Sequence, residues 1–456
     1  MLAVHHAPLP WTVRKIALLV FSYAFYAAWD PPFVLLLWGS TVVDWFVAKA
    51  MARSERKGRR KALLLISLGF NLSLLGYFKY AGFLARTFAS IAGSVGFHWT
   101  PTDLGIVLPI GISFYTFMTI SYVLDVYLRR AAPARSFLDY ALYVTFFPHL
   151  VSGPIVRATE LIPQFESPRR ANADQFGWGL ALLALGLFEK VVIADGILAP
   201  VVDKVYAPVL EHVTSTDAWA GTLAFAGQIF CDFAGYSTAA IGVSLCLGFA
   251  LPDNFRFPYG AIGFSDFWRR WHITLSAWLR DYLYIPLGGN RHGPTRTHVN
   301  LMLTMLIGGL WHGASWTFVV WGGLHGLYLV GERVAKRLVQ PTPVWETPFA
   351  RAFLALLTFT LVCFAWVFFR ATTFTQAFTI VRAMFGDGQG VAQVTSPLPL
   401  IPVFALVAAH MALHRTTLEA VVERTPWPTR AIVLSIFVVC LFLFPGIDRA
   451  FIYFQF

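Results

Sequence analysis

The sequence predicts an all-α, polytopic membrane protein, and three observations support this fold class. Of the 456 residues, 57% are hydrophobic and only 13% are charged, whereas a soluble domain is about one quarter charged. The mean hydropathy is +0.62, and apolar runs recur along the whole length of the chain. Trp and Tyr are frequent, at 16 residues each, and both favour the headgroup level of a bilayer. These features exclude a soluble globular protein.

The apolar runs predict the positions of the membrane segments. They fall near residues 16–29, 33–50, 62–84, 106–128, 137–155, 176–198, 218–250, 299–330, 352–370, 398–414 and 430–444. Several runs differ from the ~20 residues of a simple span, and Pro148 and Pro154 interrupt one of them. We therefore expect broken, tilted or re-entrant helices, about 10–12 helices or half-helices in all. Internal repeats and low-complexity tracts are absent from the sequence, so a single domain over residues 1–456 is predicted.

Basic clusters between the runs predict the orientation. The densest cluster is Arg53 to Lys61, and Arg129, Arg130 and Arg135 form a second. Two apolar runs separate these clusters, so both are expected on the cytoplasmic side. The net charge of +11 is explained by such loops, and it does not indicate a nucleic-acid partner.

The segment Phe264 to Arg291 (FSDFWRRWHITLSAWLRDYLYIPLGGNR) predicts an amphipathic helix. Phe267, Trp271, Leu275, Trp278 and Tyr282 recur at helical spacing on one stripe, and Arg269, His272, Ser276 and Arg280 gather opposite. This helix is too polar to span a bilayer. It could lie at the membrane interface or line a polar cavity inside the protein.

The segment GGLWHGASW (Gly308 to Trp316) places His312 in an apolar stretch without Asp, Glu, Lys or Arg. An imidazole at membrane depth is a candidate functional group, although a hydrogen-bonded structural histidine fits the residues equally well. Gly309 with Gly313, and Gly322 with Gly326, form G-x-x-x-G pairs that allow helices to approach closely. For His325 we favour a structural or supporting role.

Other polar side chains of the apolar runs could line the same cavity or pair helices together. They are Asp125, His149, Ser152, Asp195, Asp232 and Tyr236. The four cysteines lack the spacing of a zinc site or a disulfide framework. P-loop, GxGxxG, HExxH and GxSxG motifs are absent, which excludes the corresponding nucleotide and hydrolase chemistries. No metal or bound cofactor is predicted.

The sequence resembles the membrane-bound O-acyltransferase superfamily, and within it the bacterial alginate O-acetyltransferase branch. The matching stretches are FWRRWHITLSAWLRDYLYIPLGGNR, GGLWHGASWTFVVWGGLHG, LGYFKYAGF, LPIGISFYTFMTISYVLDVY, FFPHLVSGPIVR, DFAGYSTAAIG and the terminal FIYFQF. The resemblance implies a ring of tilted helices around a central tunnel. It also implies that His312 is the catalytic histidine and that His272 is the second polar residue.

Three positions depart from the branch. Ala234 and Thr238 stand where Ser and Asp are expected, and Met118 replaces a usual Gln or Glu. The branch also carries one more hydrophobic segment before the position of Ile16, so an N-terminal segment is expected to be missing from this sequence.

The resemblance predicts an inner-membrane O-acyltransferase that moves an acetyl group from acetyl-CoA towards an exported polysaccharide such as alginate, through a periplasmic acetyltransferase partner. His312 would be the general base, and His272 would orient the acceptor or stabilise the oxyanion. Trp311, Ser276, Arg280 and Asp281 are the predicted substrate-binding residues. The alternatives are transfer of D-alanyl, transfer of acetyl to peptidoglycan or cellulose, and a transporter that uses His312 as a proton relay.

Overall fold

The computed structural model describes residues 1–102, 105–207, 212–339, 343–444, 449 and 451–452. These residues form helices joined by turns, without a strand among them, which confirms the all-α prediction. The chain divides into two compact units. The first comprises Met1–Leu180 and Ala240–Pro252, and the second comprises Ala181–Ala239 and Asp253–Phe456. A single domain over the whole chain stays a prediction.

Nine helices lie wholly in the described part of the first unit. They are α1 (Leu2–His6), α2 (Trp11–Ala27), α3 (Phe33–Ala52), α4 (Lys57–Leu75), α5 (Ala81–Ser94), α6 (Ile112–Tyr127), α7 (Phe137–Thr145), α8 (Phe147–Leu150) and α9 (Ala158–Glu166). A π-helical turn, Gly76–Tyr80, joins α4 to α5. The predicted break in the run 137–155 is present, because α7 ends at Thr145 and Pro148 lies in the first turn of α8.

Two further helices, α10 (Ala173–Leu187) and α12 (Ser215–Cys246), contribute residues to both units. The second unit contains α11 (Ala199–Val205), α13 (Phe264–Trp268), α14 (Ile273–Leu279), α15 (Gly293–His312), α16 (Trp316–Leu338), α17 (Pro348–Arg370), α18 (Phe374–Arg382), α19 (Ile401–Leu413), α20 (Leu418–Arg424) and α21 (Trp427–Leu443). Its π-helical segments are Phe188–Leu198, Arg280–Tyr284 and Ala383–Asp387, and its 3₁₀ turns are Pro258–Gly260, Pro343–Glu346 and Leu398–Leu400.

Within the described residues, four helical stretches are long and apolar enough to cross a membrane. They are Phe33–Ala52, Lys57–Ser94, Ser215–Cys246 and Pro348–Arg370. A fifth span is possible if Leu398–Leu413 and Leu418–Arg424, bent by 85°, count as one. Several other apolar runs form shorter or broken helices, as predicted for runs whose lengths differ from that of a simple span. The ring of helices and the central tunnel stay predictions.

The core of the second unit is aromatic. Trp271, Trp321 and Trp366 are fully buried. The ring of Trp366 lies 5.1 Å from that of Trp271 and 5.7 Å from that of Trp321. These three side chains come from the α13–α14 turn, from α16 and from α17, so the aromatic core fixes these elements against one another.

Candidate active site

His312 is the last residue of α15 and is almost completely buried. The helix ends there because Gly313 takes an extended conformation, with φ of −153° and ψ of 145°. The chain then re-enters a helix at Trp316, where the Ser315 hydroxyl accepts a hydrogen bond from the Thr317 amide. The apolar run 299–330 is therefore two helices, and His312 lies at the break between them.

The predicted glycine contacts hold α15 and α16 together. A Cβ atom added to Gly309 would lie 2.3 Å from the carbonyl oxygen of Phe318, and one added to Gly322 would lie 2.2 Å from that of Met305. Only glycine allows the two backbones to approach this closely. The close approach fixes the end of α15, and with it the position of His312.

Aromatic rings surround the imidazole of His312. The ring centroid of Trp321 lies 4.9 Å away, that of Trp311 5.0 Å and that of Phe369 5.4 Å. Trp321 also contacts His325, at 4.8 Å, so its indole contacts both imidazoles. Such an environment has a low dielectric constant, which strengthens the electrostatic interactions of any charge that develops beside His312.

His272 lies in the turn between α13 and α14, and the predicted continuous amphipathic helix is wrong at this point. The helix ends at Trp268 and restarts at Ile273. His272 itself has a left-handed backbone with φ of 43°, which residues other than glycine rarely adopt. As a result its side chain is fully buried, while Arg269 of the same predicted polar face is largely exposed. No periodicity in the sequence signals this turn.

The turn brings His272 to His312. Their ring centroids are 6.5 Å apart and their planes are inclined by 62°. The indole of Trp311 lies 6.2 Å from His272 as well as beside His312. His272, His312 and Trp311 therefore form one buried cluster in the second unit.

The other predicted substrate-binding residues are placed differently. The Arg280 guanidinium is 62% exposed and donates hydrogen bonds to Asp281. This hydrogen bond raises the pKa of Arg280 above its ordinary value. The Ser276 hydroxyl donates to the carbonyl of Trp271 at 3.4 Å. The structure thus brings Trp311 to the histidine pair, but it directs Arg280 and Ser276 to other partners.

Among the additional polar candidates, Asp125, His149 and Ser152 belong to the first unit. Asp195 and Asp232 form a separate buried cluster in the second unit, in which both carboxylates bind Lys190. Sequence reasoning missed Lys190, although its position within an apolar run was a usable signal. In the part of the chain that the structure describes, no group of three His, Cys, Asp or Glu side chains could hold a metal ion.

Comparison with known proteins identifies the family. The model of the membrane-bound O-acyltransferase (MBOAT) family matches residues 132–375, a range that contains both His272 and His312. The chain belongs to the membrane-bound O-acyltransferase family. It is therefore an O-acyltransferase and a multi-pass membrane protein, and the predicted resemblance is confirmed.

Several relatives of known name are similar over most of the chain. The probable alginate O-acetylase AlgI of Pseudomonas putida is 43% identical over 404 residues, covering 88% of this chain and 81% of the relative. The peptidoglycan O-acetyltransferase of Helicobacter pylori is 38% identical, covering 82% of this chain and 74% of the relative. The teichoic acid D-alanyltransferase of Bacillus subtilis is 27% identical, covering 58% and 69%. Membership in an acyltransferase family argues against the transporter alternative.

Proposed function

We propose that this acyltransferase moves an acetyl group from acetyl-CoA towards the hydroxyl groups of an exported polysaccharide such as alginate, in the bacterial inner membrane. The observation that carries the chemistry is the buried pair His272 and His312, separated by 6.5 Å. The similarity to alginate O-acetylases over 88% of the chain supports the acetyl group and the polysaccharide class.

In the proposed reaction His312 is the general base. It takes the proton of the acceptor hydroxyl as the hydroxyl oxygen bonds to the thioester carbon. The tetrahedral intermediate then collapses, the carbon–sulfur bond breaks, and His312 returns the proton to the leaving thiolate. The indole N–H of Trp311, whose ring lies beside both histidines, is the proposed donor to the oxyanion.

The donor is proposed to enter from the cytoplasm, where the basic loops would attract the phosphate groups of acetyl-CoA. The acetyl group is proposed to pass to a periplasmic acetyltransferase partner, which would modify the polymer. The peptidoglycan O-acetyltransferase relative, 38% identical, favours peptidoglycan as the second candidate acceptor.

Replacing His312 tests the assignment of the base. In His312→Ala, acetyl transfer from labelled acetyl-CoA by the purified protein should fall by about a hundredfold to ten-thousandfold, because proton transfer in the transition state is lost. The matched control is His98→Ala, which removes an exposed imidazole and should transfer acetyl at the normal rate. Normal transfer by a folded His312→Ala variant would disprove the assignment.

The acceptor needs a separate measurement. The protein should acetylate alginate, or support its acetylation in cells, more readily than peptidoglycan when both are offered. Acetylated muramic acid without acetylated alginate would reject alginate and select the second candidate.

A further inference from the structure

Asn254 makes a set of contacts around His272 that neither the proposed chemistry nor the sequence motifs assign. Both side chains are buried. The Asn254 side-chain oxygen lies 3.1 Å from Nδ1 of His272 and accepts from the Thr274 hydroxyl at 2.9 Å and from the Thr274 amide at 3.4 Å. Its Nδ2 donates to the Ser237 hydroxyl at 3.0 Å.

These contacts determine which atom of the Asn254 amide faces His272. A backbone N–H can only donate, so the atom turned towards the Thr274 amide must be the oxygen, Oδ1. The same oxygen faces Nδ1 of His272. The Ser237 hydroxyl accepts on the other side of the amide, where Nδ2 lies. The flipped amide would place two donors against each other at Thr274.

The orientation of Asn254 fixes the tautomer of His272. Because Oδ1 is an acceptor, Nδ1 of a neutral imidazole must carry the proton. The lone pair then belongs to Nε2, the other ring nitrogen. A neutral His272 in this tautomer can accept a hydrogen bond at Nε2, but it cannot donate one to an oxyanion.

We infer that Asn254 is a positioning residue that holds His272 in its Nδ1–H tautomer, so that Nε2 accepts a hydrogen bond from a hydroxyl of the acceptor other than the one that His312 deprotonates. The part that concerns the hydroxyl rests on the proposed function. Of the two roles predicted for His272, orienting the acceptor is therefore favoured over stabilising the oxyanion. The oxyanion is left to a donor such as Trp311.

The main chain of Asn254 supports the same arrangement. Its carbonyl accepts the amide of Ile273 at 2.9 Å, so the residue binds the 272–274 turn through both its backbone and its side chain. His272 has a positive φ in this turn. Asn254 thus positions the imidazole and fixes its tautomer together.

Histidine-selective ¹⁵N NMR of the reconstituted protein tests the tautomer directly. The signals of His272 are assigned by their loss in His272→Gln. The wild type and Asn254→Asp, which keeps an acceptor oxygen, should both show His272 protonated at Nδ1. Asn254→Leu, which has no acceptor, should show a mixture of the two tautomers or the Nε2–H form. An Nε2–H tautomer in the wild type would overturn the inference.

Steady-state kinetics tests the catalytic consequence. In Asn254→Leu, kcat should fall by about tenfold or more, while KM for acetyl-CoA should change little. Hydrogen bonds that fix the tautomer of a metal-binding histidine contribute about 10–100-fold to activity, and we expect an effect of the same order here. Asn254→Asp should restore most of kcat. An unchanged kcat in Asn254→Leu contradicts a positioning role.

Two controls separate the possible failures. Asn300 is equally buried and donates to the carbonyl of Gly289, so Asn300→Leu reports the general cost of removing a buried amide and should leave the His272 tautomer unchanged. The NMR measurement does not depend on activity. A wild type that shows the Nδ1–H tautomer but transfers no acetyl group would therefore reject the proposed function and keep the role of Asn254.

Discussion

The surroundings of His272 hold its backbone in an unfavourable left-handed conformation that places the side chain in the candidate active site. A non-glycine residue in the left-handed region costs about 1–3 kcal/mol and persists only where its surroundings determine it. Here Asn254 provides that support through the hydrogen bonds to His272 and Ile273. The resemblance predicted that His272 and His312 act together. The turn itself depends on contacts between residues 18 positions apart, which helical periodicity cannot reveal.

Lys190 is a second residue whose buried side chain is held in place by its neighbours. Its ammonium group binds the carboxylates of Asp195 and Asp232, and all three side chains are at least nine-tenths buried. Asp232 also accepts the backbone amide of Ile452 at 3.0 Å. The adjacent Phe451 contacts Phe233, which in turn contacts His272. The Lys190 cluster therefore holds residues 451 and 452 close to the candidate active site.

Removing the charge of Lys190 should destabilise the protein. Lys190→Met leaves two buried carboxylates without their cation, and the free energy of unfolding should fall by about 3–5 kcal/mol. Arg129→Met is the matched control, because the Arg129–Glu55 ion pair is exposed and such pairs contribute little. Thermal unfolding in detergent measures both. Equal unfolding temperatures for Lys190→Met and the wild type would contradict this prediction.

At the scale of elements, the π-helical segment Phe188–Leu198 explains why Lys190 reaches Asp195. On a regular α-helix, residues five apart are about 140° apart around the axis, at 3.6 residues per turn. In a π-helix the hydrogen bonds run from i to i+5, so residues at this spacing lie nearly above one another. The sequence predicted an apolar run over 176–198. The sequence pattern does not indicate that part of this run is a π-helix, and so Lys190 was not predicted as the partner of Asp195.

The sequence predicted the packing of α15 against α16 better than it predicted the π-helical segment. The G-x-x-x-G pairs predicted a close approach, and Gly309 and Gly322 meet at the crossing. Glycine spacing reports directly on how close two backbones can come, so this feature needs no knowledge of the rest of the fold. The break after His312 was not predicted, because residues 313–315 are as apolar or small as the helices they separate.

The close crossing of α15 and α16 predicts that a methyl group added at Gly322 lowers the rate of acetyl transfer. In Gly322→Ala the new Cβ would lie 2.2 Å from the Met305 carbonyl oxygen, so α15 and α16 must separate and His312 must move. A displacement of 1 Å at a catalytic group can cost about a hundredfold in rate, and we expect a loss of that order in acetyl transfer per folded molecule.

Gly331→Ala is the matched control for this variant. Gly331 lies on the same helix, and an added Cβ meets nothing within 4 Å. This variant should keep full activity and gain about 0.5–1 kcal/mol of stability, as alanine does when it replaces glycine in a helix. If both variants transfer acetyl at the wild-type rate, the tight crossing is not needed to position His312.

For the whole molecule, composition alone predicted an all-α, multi-pass membrane protein, because few charges and repeated apolar runs allow no other class. Apolar surface agrees with this: Leu84, Phe88 and Ile91 lie on α5 and are each more than half exposed, as expected of side chains that face lipid. The number of crossings was harder to predict. Several apolar runs form short helices, and length is the property that separates a span from a buried half-helix.

The orientation of the first unit can be tested by cysteine labelling. The basic clusters predict that Lys57 and Arg130 lie on the cytoplasmic side. Between them the chain runs through α4, α5 and α6, and Val95, at the end of α5, is 80% exposed.

In a background with Cys440 replaced by Ser, Val95→Cys should react with an impermeant maleimide in intact spheroplasts. Lys57→Cys and Arg130→Cys should react only after the membrane is permeabilised, since the sequence predicts two crossings between them. Labelling of Lys57→Cys and Arg130→Cys from opposite sides would show that α4–α6 cross the membrane an odd number of times, and labelling of both from outside would invert the orientation and the proposed entry of acetyl-CoA.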